Sequence, residues 1–339
     1  MESLRNDYYN KKFSHIYVEK AVSSHPRAQK ILQRFPDAHI VEINHYKDVF
    51  CRKGQQVELQ HRAQALILAQ KTGNLLYEGA AVCQSFGNEH FYYTSCVMNC
   101  VYDCEYCYLK GMYPSAHMVV FVNLEDVFRE LEKLLQKHGV YLCVSYDTDL
   151  PALEELTGFV QEWEVFAAAH EGLRMEIRTK CGRQDLWDSL SPNPRVIYAF
   201  TLSPEYVARE YEHGTSTLDM RVGSAKKAIE KGFSVRLCFD PMLYCPNWKR
   251  EYQEMLVRVF GQIKPEELVD VSIGSFRISQ DYLKSMRKSA PLSPVVQFPY
   301  ENRQGVYQYP EALKREMEDF LQGELEKHLP GEKIFHWEE

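Results

Sequence analysis

The sequence predicts an α/β fold, a partial (β/α)6-type barrel with a small N-terminal β-α-β appendage. Two patterns lead there. From about residue 90 onward, strand-like and helix-like segments alternate, and alternation of that kind builds a parallel sheet with helices on its outside. Ahead of it stands a shorter strand–helix–strand pattern. A third observation marks where the chemistry should lie: four of the ten cysteines crowd between positions 96 and 107, directly after the first strand of the alternating array.

In the appendage, 15–21 reads as a strand, 25–35 carries Ala28, Ile31, Leu32 and Phe35 at helical spacing, and 38–43 reads as a second strand. Residues 57–71 read as a helix, with Gly73 and Asn74 as its stop signal. These elements make up a unit spanning 1–90. Barrel strands are predicted at 91–95, 118–122, 140–145, 173–178, 195–201, 233–239 and 269–273. Helices are predicted between them at 124–137, 150–169, 183–190, 215–231 and 248–261. About six such units are too few for a closed eight-unit barrel, so the barrel of 91–275 should be open, with ligands at the C-terminal ends of its strands. The extension 276–339 reads as two helices around a polar segment, followed by the strand-like Ile334-Phe335-His336-Trp337.

The chain has 339 residues, 45% hydrophobic and 26% charged, with a net charge of -7. An acidic balance gives no support to a general nucleic-acid binder, although a local basic groove is compatible with it. No run of eighteen apolar residues and no apolar N-terminal core is present, so neither a membrane span nor a signal peptide is expected, and a cytoplasmic location is. In a reducing compartment, crowded cysteines point to metal binding or catalysis rather than to disulfides.

Residues 96–108 read Cys-Val-Met-Asn-Cys-Val-Tyr-Asp-Cys-Glu-Tyr-Cys-Tyr. Within them, Cys100-x3-Cys104-x2-Cys107 is the radical S-adenosylmethionine (SAM) spacing. Three thiolates on one compact loop reach three corners of a [4Fe–4S] cubane, and the fourth iron stays open for SAM. Reduction then cleaves SAM and releases a 5′-deoxyadenosyl radical, a chemistry that belongs to the cofactor while the protein orients and shields it. The alternative is a structural zinc site with Cys96 as fourth ligand. The position of the loop after a first barrel strand, and Tyr106 just before the third cysteine, suit the cluster better. Cys96 reads as a buried small apolar residue.

Beyond this motif the sequence resembles the spore photoproduct lyase family, which repairs the thymine dimer of ultraviolet-irradiated spores. The resemblance is carried by Cys104-Glu-Tyr-Cys-Tyr-Leu-Lys110, Val122-Asn-Leu-Glu-Asp-Val-Phe128, Ile16-Tyr-Val-Glu19, Gly214-Thr-Ser-Thr-Leu-Asp-Met-Arg221, Asp240-Pro-Met and Trp248, and covers most of the chain. It implies a radical SAM carbon–carbon lyase acting on damaged DNA, which must extrude the lesion from the duplex. An external electron donor such as a flavodoxin or ferredoxin and a monomeric state are expected with it. It also implies that Tyr106 packs on the SAM adenine, that Tyr108 faces the substrate and relays a hydrogen atom, and that Lys180 and Thr201 bind polar groups of SAM, the family usually showing Ser at the second. Read without the resemblance, Lys180 is a strand-end charge, Thr201 an ordinary strand residue, and the two tyrosines core aromatics.

The chain also departs from the family. Well-known members carry a hydrogen-donating cysteine in a Cys-Thr-Ser-Asp run after the second barrel strand, and the matching run here is Tyr146-Asp147-Thr148-Asp149. If Tyr146 faces the barrel interior and the strand is regular, alternation points Cys143 at the helices, and Cys181 likewise points away from Lys180. That leaves Cys83, in a segment leading into the first barrel strand, as the expected donor thiol, with a plain buried cysteine as its other reading. Near the C-terminus, Arg303-Gln304-Gly305 is the nearest match to the Arg-Tyr-Gly run of the family. Arg303 is then expected to contact phosphate and Tyr307 or Tyr309 to wedge near a base, with an exposed loop as the alternative.

Overall fold

The computed structural model describes residues 13–79 and 84–336. Its largest sheet has eight strands. Seven run parallel in the order Phe91–Tyr93 (β5), Val140–Cys143 (β9), Leu173–Thr179 (β10), Val196–Thr201 (β11), Ser234–Met242 (β13), Val271–Ser275 (β14) and Ile334–His336 (β18). The eighth, Tyr77–Glu78 (β4), pairs antiparallel with β5 at the edge. Six of the seven parallel strands are those the alternation predicts. The seventh, β18, comes from the C-terminal extension and extends the sheet beyond β14.

Alternation across these strands separates two environments. Val140 and Leu142, Met175 and Ile177, Tyr198 and Phe200, and Val235 and Leu237 enter the main apolar core, where the helices Phe159–Ala169 and Leu218–Glu230 contribute Trp163, Val222 and Ala225. The intervening side chains, among them Tyr141, Glu176, Arg178, Lys180, Thr201, Arg236 and Cys238, share the other face, which is the barrel interior. The predicted orientation of Cys143 is corrected here. It stands in register with Glu176 and Tyr93, while its neighbours Leu142 and Val144 pack in the core, so Cys143 faces inward. The strand ends at Cys143, and the turn that follows breaks the alternation on which the expectation rested. Cys181, as expected, lies in the core on the helix side, and Cys96 is buried there as well.

The second sheet has five strands. His15–Glu19 (β1) pairs parallel with His39–Ile43 (β2) and with Leu66–Ala69 (β3), as the β-α-β pattern requires. Two findings differ from the sequence reading. The predicted helix 57–71 stops at Arg62, and Leu66-Ile67-Leu68-Ala69 is a central strand. Leu66 and Leu68 face the main core while Ile67 and Ala69 face a second cluster with Val49 and Phe50. A short unbroken apolar run buried on both faces has no strand alternation to show. The segment Met118–Phe121 (β8), predicted in the barrel, pairs parallel with β3 and antiparallel with Val97–Met98 (β6). The chain therefore leaves the barrel after β5, visits the N-terminal sheet through β6 and β8, and returns at β9. The cysteine loop is strung between those visits.

Candidate active site

The loop is shaped before it meets any cofactor. Asn99 takes a left-handed backbone conformation (φ 68), and its side-chain amide donates to the carbonyls of Ser115 (2.7 Å) and His117 (2.8 Å). An Asn tolerates this geometry better than most residues because its short polar side chain bonds locally. Asp103–Cys104 (β7) then forms a two-residue antiparallel pair with Glu212–His213 (β12), which follows β11. Glu105 accepts hydrogen bonds from His213 (2.9 Å) and Ser293. Behind the loop, the short helix Leu109–Met112 lies so close to the helix Gln280–Ser289 that a Cβ on Gly111 would come within 2.5 Å of the Tyr282 carbonyl oxygen.

This scaffold holds Cys100, Cys104 and Cys107 on one loop as free thiols, near enough that the charge of one sulfur opposes ionisation of the next. Burial pushes the Cys104 thiol up to about 12, and burial raises Cys100 and Cys107 as well, with mutual repulsion among the sulfurs adding to the effect at Cys100 and Cys104. Metal binding by thiols is coupled to release of their protons. Among the described residues no three His, Cys, Asp or Glu side chains converge as a single bare metal ion requires. Three soft donors on one loop fit the corners of a cubane, which unlike a tetrahedral zinc centre requires no fourth protein ligand.

Beneath Cys104 lies a buried ionic network. Glu212 and Arg221 form an ion pair with both side chains 0% exposed. Arg221 also donates to Thr215 Oγ1 (2.8 Å) and to the carbonyls of Ser216 (3.0 Å) and Thr201 (3.2 Å). Lys180 Nζ stands 3.0 Å from Glu212 Oε1 and 3.7 Å from Cys104 Sγ, and it lies 4.7 Å from the centre of the Tyr106 ring. The Tyr106 hydroxyl donates to Glu212 and accepts from Lys180. Burial opposes ionisation of Glu212, yet Arg221 and Lys180 hold its carboxyl well below the usual range. Burial likewise opposes the Lys180 cation, and Cys104, Glu212 and Tyr106 more than restore it. The three expected cofactor residues, Tyr106, Lys180 and Thr201, thus lie around one network beneath the cysteine loop, Thr201 through its main-chain carbonyl. Glu212 and the role of Arg221 are not predicted from the sequence. A signal for the latter was present, because Arg221 sits on the helix stripe of Leu218, Val222 and Ala225, where a charge is out of place unless paired.

A second group gathers around Tyr108. Its hydroxyl donates to the Tyr146 carbonyl oxygen at 2.5 Å, and the two rings lie 5.9 Å apart. Tyr146 stacks on Tyr93 at 4.2 Å. Asp149 holds the ends of β9 and β10 together by accepting from Thr179 Oγ1 and the Lys180 amide, each at 2.7 Å. Burial raises the Asp149 carboxyl despite these bonds. Cys83 lies outside the described residues.

The C-terminal hairpin places Arg303-Gln304-Gly305 at its tip, between Glu301–Arg303 (β16) and Val306–Gln308 (β17). Gln304 and Gly305 both have positive φ, as a tight two-residue hairpin turn demands. Arg303 is exposed and pairs with Glu311 at 2.7 Å. Tyr307 is half-buried, with the Arg287 guanidinium 5.5 Å over its ring. Tyr309 does not serve as a wedge. It is 1% exposed, packs on Phe298 and Tyr300, and its hydroxyl oxygen accepts from the Tyr244 amide at 2.9 Å. The Gln280 amide donates to Gly305 O at 2.8 Å, tying the hairpin to the helix that packs on Leu109–Met112.

Comparison with known proteins agrees with this geometry. The family model described as spore photoproduct lyase matches residues 13–337. The chain is 21% identical to the spore photoproduct lyase of a Geobacillus species, over 94% of this chain and 96% of that one. It is 24% identical to that of Clostridium acetobutylicum, over 76% of each. Among solved structures, a spore photoproduct lyase mutant with bound AdoMet and dinucleoside spore photoproduct aligns with a TM-score of 0.81 at 21% identity, covering 97% of this chain and 99% of the other. A second, complexed with dinucleoside spore photoproduct, aligns at 0.80 and 19%, covering 96% and 98%.

Proposed function

This chain belongs to the spore photoproduct lyase family, and on that premise we propose that it is a radical SAM carbon–carbon lyase that reverses the methylene-bridged thymine dimer in ultraviolet-damaged DNA. The observation that carries the reading is the join between three cysteines on one loop and the Lys180–Glu212–Arg221 network at the C-terminal mouth of a parallel barrel. The donor set fits a [4Fe–4S] cluster held by Cys100, Cys104 and Cys107, with AdoMet beside it. When bound, that pair supplies a carbon-centred radical able to take a hydrogen atom from the saturated thymine ring, after which the bridging C–C bond fragments.

The residues of the chain then have separate tasks. Glu212 fixes Tyr106 and Lys180, so that an aromatic ring and a cation are preorganised before the cofactor arrives. Thr201 faces the same interior from the next strand but holds Arg221 through its carbonyl. Tyr108 and Tyr146 line the side where the lesion enters. Arg303, at the hairpin tip, meets a phosphate by exchanging its Glu311 partner, and Tyr307 lies next to it on the following strand. Phosphate contacts make lesion binding weaken as salt rises.

The test is anaerobic turnover of the reconstituted protein with dinucleoside spore photoproduct, SAM and a reductant. Restored thymines together with 5′-deoxyadenosine support the reading. Formation of 5′-deoxyadenosine with the lesion left intact would assign the chain a different substrate.

A further inference from the structure

Fragmentation of the lesion leaves a thymine-centred radical that must gain one hydrogen atom. In the run that should carry a thiol for this step, the chain has Tyr146. Its surroundings are built rather than incidental. The Tyr146 ring stacks on Tyr93 at 4.2 Å and 26°, and Tyr93 stacks in turn on Tyr77 at 5.1 Å and 19°. On its other side Tyr108 bonds to the Tyr146 carbonyl, and the rings stand 5.9 Å apart. Asp147, the next residue, is 3% exposed. One of its oxygens accepts from Ser95 and from Tyr113 (2.8 Å), and the other, Oδ1, is buried with no hydrogen-bond partner.

We propose that Tyr146 is the terminal hydrogen-atom donor of this enzyme, replenished by Tyr108 and held in place by its stack on Tyr93. In the first step the O–H bond of Tyr146 breaks and a C–H bond forms on the thymine radical, leaving a neutral phenoxyl on Tyr146. In the second, the O–H bond of Tyr108 breaks and that of Tyr146 re-forms, and the O–H bond of Tyr108 is made again with a hydrogen atom from the 5′ carbon of 5′-deoxyadenosine, whose C–H bond breaks, so the atom first taken from the lesion is the one returned. Each step moves one whole hydrogen atom, so no oxidant is consumed and no charge is created inside the barrel, where an unpaired charge is costly.

The inference rests on the lyase reading, and the experiment separates the two. The reconstituted enzyme and its Tyr146→Phe, Cys83→Ala and Cys143→Ala variants are run anaerobically on dinucleoside spore photoproduct. Thymine restored per SAM cleaved is measured beside freeze-quench electron paramagnetic resonance on protein carrying ring-deuterated tyrosine. The expected result is a phenoxyl signal, narrowed by deuteration, that Tyr146→Phe removes, together with a ratio reduced by roughly tenfold or more while SAM cleavage continues. Retention of both signal and ratio in Tyr146→Phe overturns the assignment. So does a loss of the ratio found in a cysteine variant and not in Tyr146→Phe. An unaltered enzyme that cleaves SAM and restores no thymine overturns the lyase reading itself, and the donor role with it.

Discussion

The barrel encloses two buried ionic networks of similar composition and different purpose. At the N-terminal end of the strands, Arg236 donates to Glu176 at 2.5 Å, to Asp270 at 2.7 Å and to the Tyr141 hydroxyl at 2.8 Å, and is covered by the Phe86 ring. At the C-terminal end, Glu212 is met by Arg221, Lys180, Tyr106 and Ser203. The first network joins strands to one another and closes the floor. The second joins strands to the cysteine loop, since Glu212 itself lies in the two-residue strand paired with Cys104. Buried ion pairs of this kind contribute little net stability against a well-packed apolar alternative, yet breaking one leaves an uncompensated charge. Position, not composition, separates a structural network from one that serves the site.

Substitutions in the two networks should separate their roles. The largest effect is expected from Glu212→Gln, which leaves the fully buried Arg221 and the neighbouring Lys180 without their shared counter-charge. A loss of about 3–5 kcal/mol in denaturant unfolding is expected, accompanied by poor iron loading. Arg236→Met should cost a similar amount, about 3–5 kcal/mol, with iron content per folded chain unchanged. Equal loss of iron in both variants would erase the distinction. Tyr106→Phe removes one hydroxyl from the upper network and should cost about 1–2 kcal/mol, with a larger weakening of SAM binding by calorimetry than of stability.

The smallest effect concerns pH. The hydrogen bond to Glu105 raises His213 above its ordinary value, with burial opposing, and Glu105 is held below its own by His213 and Ser293 against the cost of burial. A raised histidine stabilises the fold below its unfolded value of about 6.5, and that contribution is lost as pH climbs through the folded value. The clamp on the cysteine loop should therefore weaken from pH 6 to pH 8.5 by less than about 1 kcal/mol, both groups being partly exposed. Denaturation midpoints of the unaltered protein and His213→Gln at the two pH values check this, since the variant should lose that part of the difference.

Much of this was legible in the sequence because it depends on local spacing. Cys100, Cys104 and Cys107 are close in the chain, and six barrel strands announce themselves by alternating with helices. What escaped depends on distant partners. Leu66-Ile67-Leu68-Ala69 carries no alternation because both of its faces are buried. Met118–Phe121 reads as one more barrel strand, and only its pairing with Leu66–Ala69 sends it to the other sheet. The inward turn of Cys143 follows from where a strand ends, and Glu212 is recognisable as central only once Lys180 and Arg221 converge on it from separate elements.

The claim beneath all of this is that three thiolates hold an iron–sulfur cubane with one iron open to SAM. The most direct measurement is iron and sulfide content together with the electron paramagnetic resonance spectrum of the anaerobically reconstituted, reduced protein, recorded with and without SAM. About four irons per chain and a spectrum that changes when SAM is added are expected. One tightly bound zinc per chain, or a cluster spectrum indifferent to SAM, would contradict it.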